Sequence, residues 1–275
     1  MNFRLINIDE CDIAFYETGS GDASILFLHG NSESSAIFSN QFDSDLREKF
    51  QLMALDLPGH GNSLRAKNAK YVYNLPYLRN FVGKIIETIE GPLVMAGSSF
   101  GGHIALELAH LYPNLIRGLF LDGTPPLSSA ADFGDAFLPS PALGCLFKED
   151  ISEAELHELS AACIINPDKF DFFKQIVLQA DGRFRSYIFE SLVNNEMMDE
   201  KMLTSNATVP IAVLHGASDN VVNLDYYKTV FYSTLWRNKI HLVPNAAHLP
   251  CLENVELYNN LLNDFVKEVC PKRLR

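Results

Sequence analysis

The plainest chemical signal in this chain is Gly97-Ser98-Ser99-Phe100-Gly101. A serine hydroxyl is a weak nucleophile at neutral pH and acts only when a neighbouring base takes its proton. The apolar run 93–96 reads as a buried strand, and residues 102–112 carry Ile104, Ala105, Leu108 and Ala109 at helical spacing. Strand, Gly-x-Ser-x-Gly, helix is the context in which a sharp turn lifts a serine hydroxyl above a sheet. Only Ser99 has glycine two residues to either side, so Ser99, not Ser98, is the candidate nucleophile.

A base and an acid are then required. The run 211–214 reads as a strand and is followed by His215-Gly216-Ala217-Ser218-Asp219; the strand 239–243 is followed by Asn245-Ala246-Ala247-His248. Ser99, Asp219 and His248 stand in the chain order serine, acid, histidine, each just past a strand. The imidazole would accept the serine proton and the carboxylate would fix its tautomer. Asp122, also just past a strand, is a rival acid, and His215 a rival base. A free histidine base predicts a rate that rises through roughly pH 6 to 7. The oxyanion of a tetrahedral intermediate needs donors: the Phe100 N–H after the nucleophile, and Asn31 in His29-Gly30-Asn31, with a backbone N–H and a side-chain amide facing the pocket. His29 reads as a brace for that loop.

The elements that must position these residues alternate. Strands are expected at 3–8, 12–18, 24–28, 51–55, 93–96, 116–121, 211–214 and 239–243, and helices at 35–49, 75–89, 102–112, 224–235 and 255–269. Such alternation implies parallel units and a sheet covered on both faces. The rhythm breaks at about 127–206, which shows no strand pattern and carries Phe133, Phe137, Phe147, Phe170, Phe172, Phe173, Phe184 and Phe189. The expected organisation is a core of residues 1–126 and 207–275 with a helical cap, 127–206, over the ligand end of the sheet.

Composition narrows the partners. The 275 residues carry 34 acidic against 22 basic side chains, a net charge of −12, which disfavours nucleic acid and anionic membranes. No apolar run is long enough for a membrane span, and the N-terminus meets Asp9 and Glu10 before a signal-peptide core could form. The five cysteines, Cys11, Cys145, Cys163, Cys251 and Cys270, are scattered and suggest reduced thiols in a cytoplasmic protein. No metal-ligand pattern and no cofactor motif is present, so no metal and no cofactor is expected.

The quoted stretches, with His29-Gly30-Asn31-Ser32, Asp56-Leu57-Pro58-Gly59-His60-Gly61 and Gly123-Thr124-Pro125-Pro126, resemble the α/β-hydrolases over nearly the whole chain. Within them the chain is most similar to the metal-independent N-acyl-homoserine lactonases, through Ala36-Ile37-Phe38, Asp181-Gly182-Arg183, Phe189-Glu190 and Leu235-Trp236. The resemblance implies a mostly parallel eight-stranded sheet flanked by helices with an inserted helical cap. It implies a serine hydrolase opening a small-molecule ester or lactone through an acyl-enzyme, with substrate contacts at Ser98 and Asn31. The alternatives are a carboxylesterase, a carbon–carbon bond hydrolase, or a non-catalytic ligand receptor on the same fold. Turnover in Ser99→Ala is expected to fall on the order of a thousandfold to a millionfold, as for other triads, and in Ser98→Ala far less; steady-state assays on the two folded variants check the assignment.

Overall fold

A computed structural model describes residues 1–9 and 11–271. Eight strands form one sheet: β1 (Phe3–Ile8), β2 (Cys11–Thr18), β3 (Ser24–Leu28), β4 (Gln51–Leu55), β5 (Leu93–Ser98), β6 (Ile116–Asp122), β7 (Ile211–Gly216) and β8 (His241–Val243). Their order is β1-β2-β4-β3-β5-β6-β7-β8. β1 and β2 form an antiparallel hairpin, β2 pairs antiparallel with β4, and every later pair is parallel. β3 and β5 are buried along their whole length, as their uninterrupted apolar runs require in a sheet with both faces covered.

Connectivity decides where a site can form. From β3 the chain moves outward to β4, then crosses back to place β5 on the other side of β3. The connections leaving β3 and β5 therefore diverge, opening a crevice beyond their C-terminal ends. His29-Gly30-Asn31 and Ser99 both emerge there.

The flanking helices bury one stripe each. α1 (Leu75–Ile86) starts with the Asn74 side chain accepting the Tyr77 N–H, and packs Leu78, Phe81, Val82 and Ile85 inward. α2 (Phe100–Leu111) is buried over most of its surface. Between β6 and β7 the described chain is helical, with α3 (Glu153–Cys163), α4 (Phe170–Gln179), α5 (Gly182–Val193) and α6 (Glu200–Ser205) as its longer pieces. α3 opens on a capping box, Ser152 and Glu155 each bonding the other's backbone N–H. α7 (Val255–Val269) closes the chain, burying Tyr258, Leu262, Phe265 and Val266 at helical spacing. No helix among the described residues is long and apolar enough to cross a membrane.

Two expected helices differ. Residues 35–49 form short turns, Ser35–Phe38, Ser39–Phe42 and Asp45–Glu48, because Ser34 and Ser44 turn their hydroxyls onto nearby backbone amides. Residues 224–235 are helical only over Leu224–Thr229. Val230, Phe231, Tyr232 and Thr234 are weak helix formers, and the Thr234 carbonyl instead accepts the Ile211 N–H at 3.0 Å, holding the start of β7.

The cap is bound to the core through polar contacts. The Asp181 N–H reaches the Gly59 carbonyl at 2.7 Å, and the Tyr73 hydroxyl donates to Asp181 at 2.9 Å. The turn from β5 into α2 is as tight: a Cβ on Gly101 would lie 2.2 Å from the Leu28 carbonyl oxygen and 2.7 Å from that of His29. Both atoms are backbone and cannot retreat. Gly101→Ala is therefore expected to destabilise the fold by about 1–3 kcal/mol or more, while Gly144→Ala, which meets nothing within 4 Å, leaves the thermal midpoint unchanged or slightly raised; paired thermal melts measure this.

Candidate active site

Ser99 sits at the turn with φ +48° and ψ −116°, a conformation L residues rarely adopt. Its N–H donates to the Asp122 carbonyl at 2.8 Å, and its own carbonyl accepts from Gly102 N–H at 2.9 Å and Thr124 Oγ1 at 3.0 Å. The strained backbone is thus held from β6 and from α2. Ser99 is partly exposed and lines a pocket beneath the cap. Ser98, expected to contact substrate, is fully buried, and its hydroxyl donates to Asp122 Oδ1 at 2.8 Å. Successive side chains leave a strand on opposite faces, so only one of the two serines can face the crevice.

The loops after β7 and β8 are laced together, Ala217 N–H to the Val243 carbonyl at 2.9 Å and Ser218 N–H to the Ala246 carbonyl at 3.0 Å. That lacing brings Asp219 Oδ2 to 2.9 Å from His248 Nδ1. Asp219 Oδ1 takes the N–H groups of Val221 and Val222 at 2.7 and 3.0 Å. Burial alone would raise this carboxyl; His248 and the amides outweigh it and hold it below the usual carboxylate range. For His248, burial disfavours the charged ring, but Asp219 first, with Glu33 and Asp122 behind it, pushes the value up to about 9.

The rivals lie near the pair but are held by other partners or out of reach. Asp122 binds Ser98 and, at 3.3 Å, the Tyr258 hydroxyl; burial pushes it up to about 7. His215 Nδ1 lies 3.9 Å from Asp219 Oδ2, beyond hydrogen-bond reach, and burial lowers its pKa.

The loop after β3 is braced from below. His29 Nδ1 donates to the Gly30 carbonyl at 2.8 Å and Nε2 accepts the Leu57 N–H at 3.0 Å, so both ring nitrogens are occupied. The Asn31 side chain, expected to offer its amide to the pocket, is occupied as well. Its Nδ2 donates to the Leu146 carbonyl in the cap at 3.1 Å, and its Oδ1 accepts from Ser32 Oγ at 3.0 Å. The Phe100 N–H is the first of the helix N-terminal donors that have no partner inside α2.

Three residues that sequence reasoning passed over complete the surroundings. Buried Glu33 accepts the Gly30 N–H at 2.7 Å, and burial pushes its carboxyl up to about 7 against the opposing pull of His248 and that N–H. Buried Arg185, on α5, donates to Ser32 Oγ at 3.2 Å and to the Lys148 carbonyl at 2.8 Å. Glu253 accepts the N–H groups of Ala247 (2.7 Å), Ile165 (2.7 Å) and Asn166 (3.0 Å), joining the histidine loop to the cap. The only hint of Glu33 was a charged residue inside an otherwise polar turn; nothing local marked Arg185 or Glu253, whose partners are distant backbone.

The pocket encloses about 630 Å³ of non-atom space, part of it open to solvent. Phe100, Phe133, Phe137, Phe147, Leu146 and Ile188 line it, with Asn31, Ser99, His103 and Glu200 among its polar groups. Phe173 and Phe184 are instead buried in the packing, and Phe172 and Phe189 are exposed. Among the described residues no group of three or more His, Cys, Asp and Glu side chains is placed to hold a metal.

Sheet order, elbow and cap are those of the α/β-hydrolase fold, and residues 23–143 match the family described as alpha/beta hydrolase fold. Over its whole length it superposes on the N-acyl homoserine lactonase AidH complexed with N-hexanoyl homoserine, with TM-score 0.92 and 29% identity, covering 100% of this chain and 99% of that one. It is 26% identical to human (Homo sapiens) Protein ABHD8 over 281 residues, 98% of this chain; it spans 62% of that protein's length. It is also 26% identical over 252 residues to the pimeloyl-[acyl-carrier protein] methyl ester esterase of Neisseria meningitidis, covering 89% of this chain and 94% of the esterase.

Because the folded His248 value lies above the ordinary 6.5, the charged His248–Asp219 pair contributes stability that is fully present below about pH 6.5 and lost as pH rises through about 9. A ring-proton NMR titration should find His248 titrating in that upper range, and Asp219→Asn should move it down by two units or more, at about 1.4 kcal/mol per unit.

Proposed function

We propose that the chain is a serine hydrolase of ester and lactone carbonyls, and that its substrates are N-acyl-homoserine lactones. Two observations carry the reading, the Asp219–His248 pair at 2.9 Å and an elbow serine that opens on an apolar pocket. Ser99 Oγ attacks the carbonyl carbon as its proton passes to His248 Nε2, and Asp219 stabilises the imidazolium through Nδ1. The oxyanion is met by the Phe100 N–H and the backbone N–H of Asn31. Collapse of the tetrahedral intermediate breaks the ring C–O bond, and His248 returns the proton to the departing alkoxide. Water, deprotonated by the same imidazole, then attacks the acyl-enzyme carbonyl; collapse returns the proton to Ser99 Oγ and releases the ring-opened N-acyl-homoserine as carboxylate.

The base works only when neutral. With His248 held at about 9, the rate in the free enzyme rises between about pH 7 and 9, later than the interval expected of an unperturbed histidine. Core and cap, in this reading, divide near residues 126 and 207. The lactone rests on the likeness to AidH, whose complexes hold N-hexanoyl and N-butanoyl homoserine. Ring opening would erase a diffusible acyl-homoserine signal, a quorum-quenching activity. The relative named as a methyl ester esterase supports the second reading, a carboxylesterase.

The test is a panel of acyl-homoserine lactones followed by mass gain of one water, beside p-nitrophenyl esters of matched length. Lactone opening should rise with acyl length, each methylene contributing at most about 0.8 kcal/mol or nearly fourfold in affinity, then plateau as the pocket fills. Ester hydrolysis without lactone opening would remove the lactonase assignment and leave the triad standing.

A further inference from the structure

We infer that His103 is the polar anchor of the pocket, donating from Nε2 to an oxygen on the acyl side of the substrate. The inference deepens the hydrolase reading above and rests on it. His103 lies on α2, one turn beyond Ser99, which is about 6 Å along the helix axis. Both it and Glu200, on α6, line the pocket, where they face a wall of phenylalanine, leucine and isoleucine side chains.

The ring is locked from one side only. His103 Nδ1 lies 2.9 and 2.8 Å from the two Glu200 oxygens, so Nδ1 carries a proton and bridges the carboxylate. Glu200 is fixed in turn by the Leu127 N–H at 2.9 Å, and its own N–H donates to the Leu127 carbonyl at 2.8 Å. On the neighbouring turn of α2, Glu107 binds Arg79 at 2.7 Å and the Met198 N–H at 2.6 Å. Among the described residues nothing pairs with His103 Nε2. Burial works against the charged ring, but Glu200 and Glu107 outweigh it and raise the pKa. In its protonated form the ring presents a second N–H beyond the one that Glu200 accepts.

A buried ion pair is an unfavourable way to line a slot meant for hydrocarbon alone, since apolar residues of similar volume would be equally stable or better. Its presence selects for an acceptor. Because His103 follows Ser99 by one turn, a keto oxygen several bonds from the scissile carbon is the kind of acceptor Nε2–H would meet; in an acyl-homoserine lactone the 3-oxo position is such an oxygen.

The experiment measures affinity in Ser99→Ala, so that turnover is not needed. N-(3-oxohexanoyl) and N-hexanoyl homoserine lactone are titrated by calorimetry, beside methyl 5-oxohexanoate and methyl hexanoate. The keto member of a pair should bind about tenfold or more tighter, as for hydrogen bonds to charged groups, and adding His103→Leu should bring the ratio to near one. His103→Gln, which keeps a donor, should retain part of the preference. Should His103→Leu unfold the protein, His103→Leu with Glu200→Leu removes both halves of the pair and is read in the same way. Equal affinities in Ser99→Ala, a preference that survives loss of His103, or no binding of any of the four compounds overturns the inference. Failure of the wild type to turn over lactones, with the keto preference intact, would instead sink the lactonase reading alone.

Discussion

The backbone of Ser99 is forced into its rare conformation by atoms that have nowhere to go. A Cβ on Gly97 would fall 2.5 Å from the Gly102 Cα, so strand and helix touch main chain to main chain at the turn. Asp122 and Thr124, from the end of β6, then bind the Ser99 N–H and carbonyl. Strain of this kind persists only when the surroundings over-determine it. Everything else in the site is measured from that fixed point: the first N–H groups of α2 aim into the crevice because the helix must start there, and the loop after β3 lies beside it because β3 and β5 are paired neighbours.

Three buried carboxyl groups surround one imidazole, and their environments set them apart. Asp219 touches His248 directly and accepts two N–H groups, which keeps it ionised. Glu33 and Asp122, each with burial as the dominant influence, are pushed up to about 7. Like charges in a low-dielectric site cannot all ionise together. As His248 gains a proton, its charge favours ionisation of these two groups, so the imidazolium is stabilised by more than its hydrogen-bonded partner. Glu33 adds a mechanical role by holding the Gly30 N–H, whose neighbour Asn31 borders the pocket.

Local chemistry made the sheet, the elbow and the loops carrying Asp219 and His248 legible in the sequence, because each depends on a short apolar run and the turn formers that follow it. Chain order favoured Asp219 over Asp122, and the geometry that separates them lies in cross-strand partners: Ser98 and Tyr258 hold one, His248 lies against the other. The missed features all depend on long-range pairing. Asn31 read as an open amide because nothing nearby predicted that Leu146, over a hundred residues later, would accept from it. The run at 230–235 read as helix because its contact with β7 is likewise invisible locally.

The cap also does more than roof the pocket. The Cys163 carbonyl at the end of α3 accepts the His248 N–H at 3.0 Å, the Leu146 carbonyl accepts from Asn31, and Arg185 reaches Asn31 through Ser32. The loops carrying Asn31 and His248 are therefore both tied to the cap that roofs the pocket. Arg185 is buried with carbonyls and a hydroxyl as its acceptors, and with no carboxylate at contact distance among the described residues the cation depends on those bonds. Movement of the cap would loosen the Asn31 loop and the His248 loop together. A cap substitution that shifts either loop then alters the chemical step with it, since a misplacement of about 1 Å at such a site costs on the order of a hundredfold in rate.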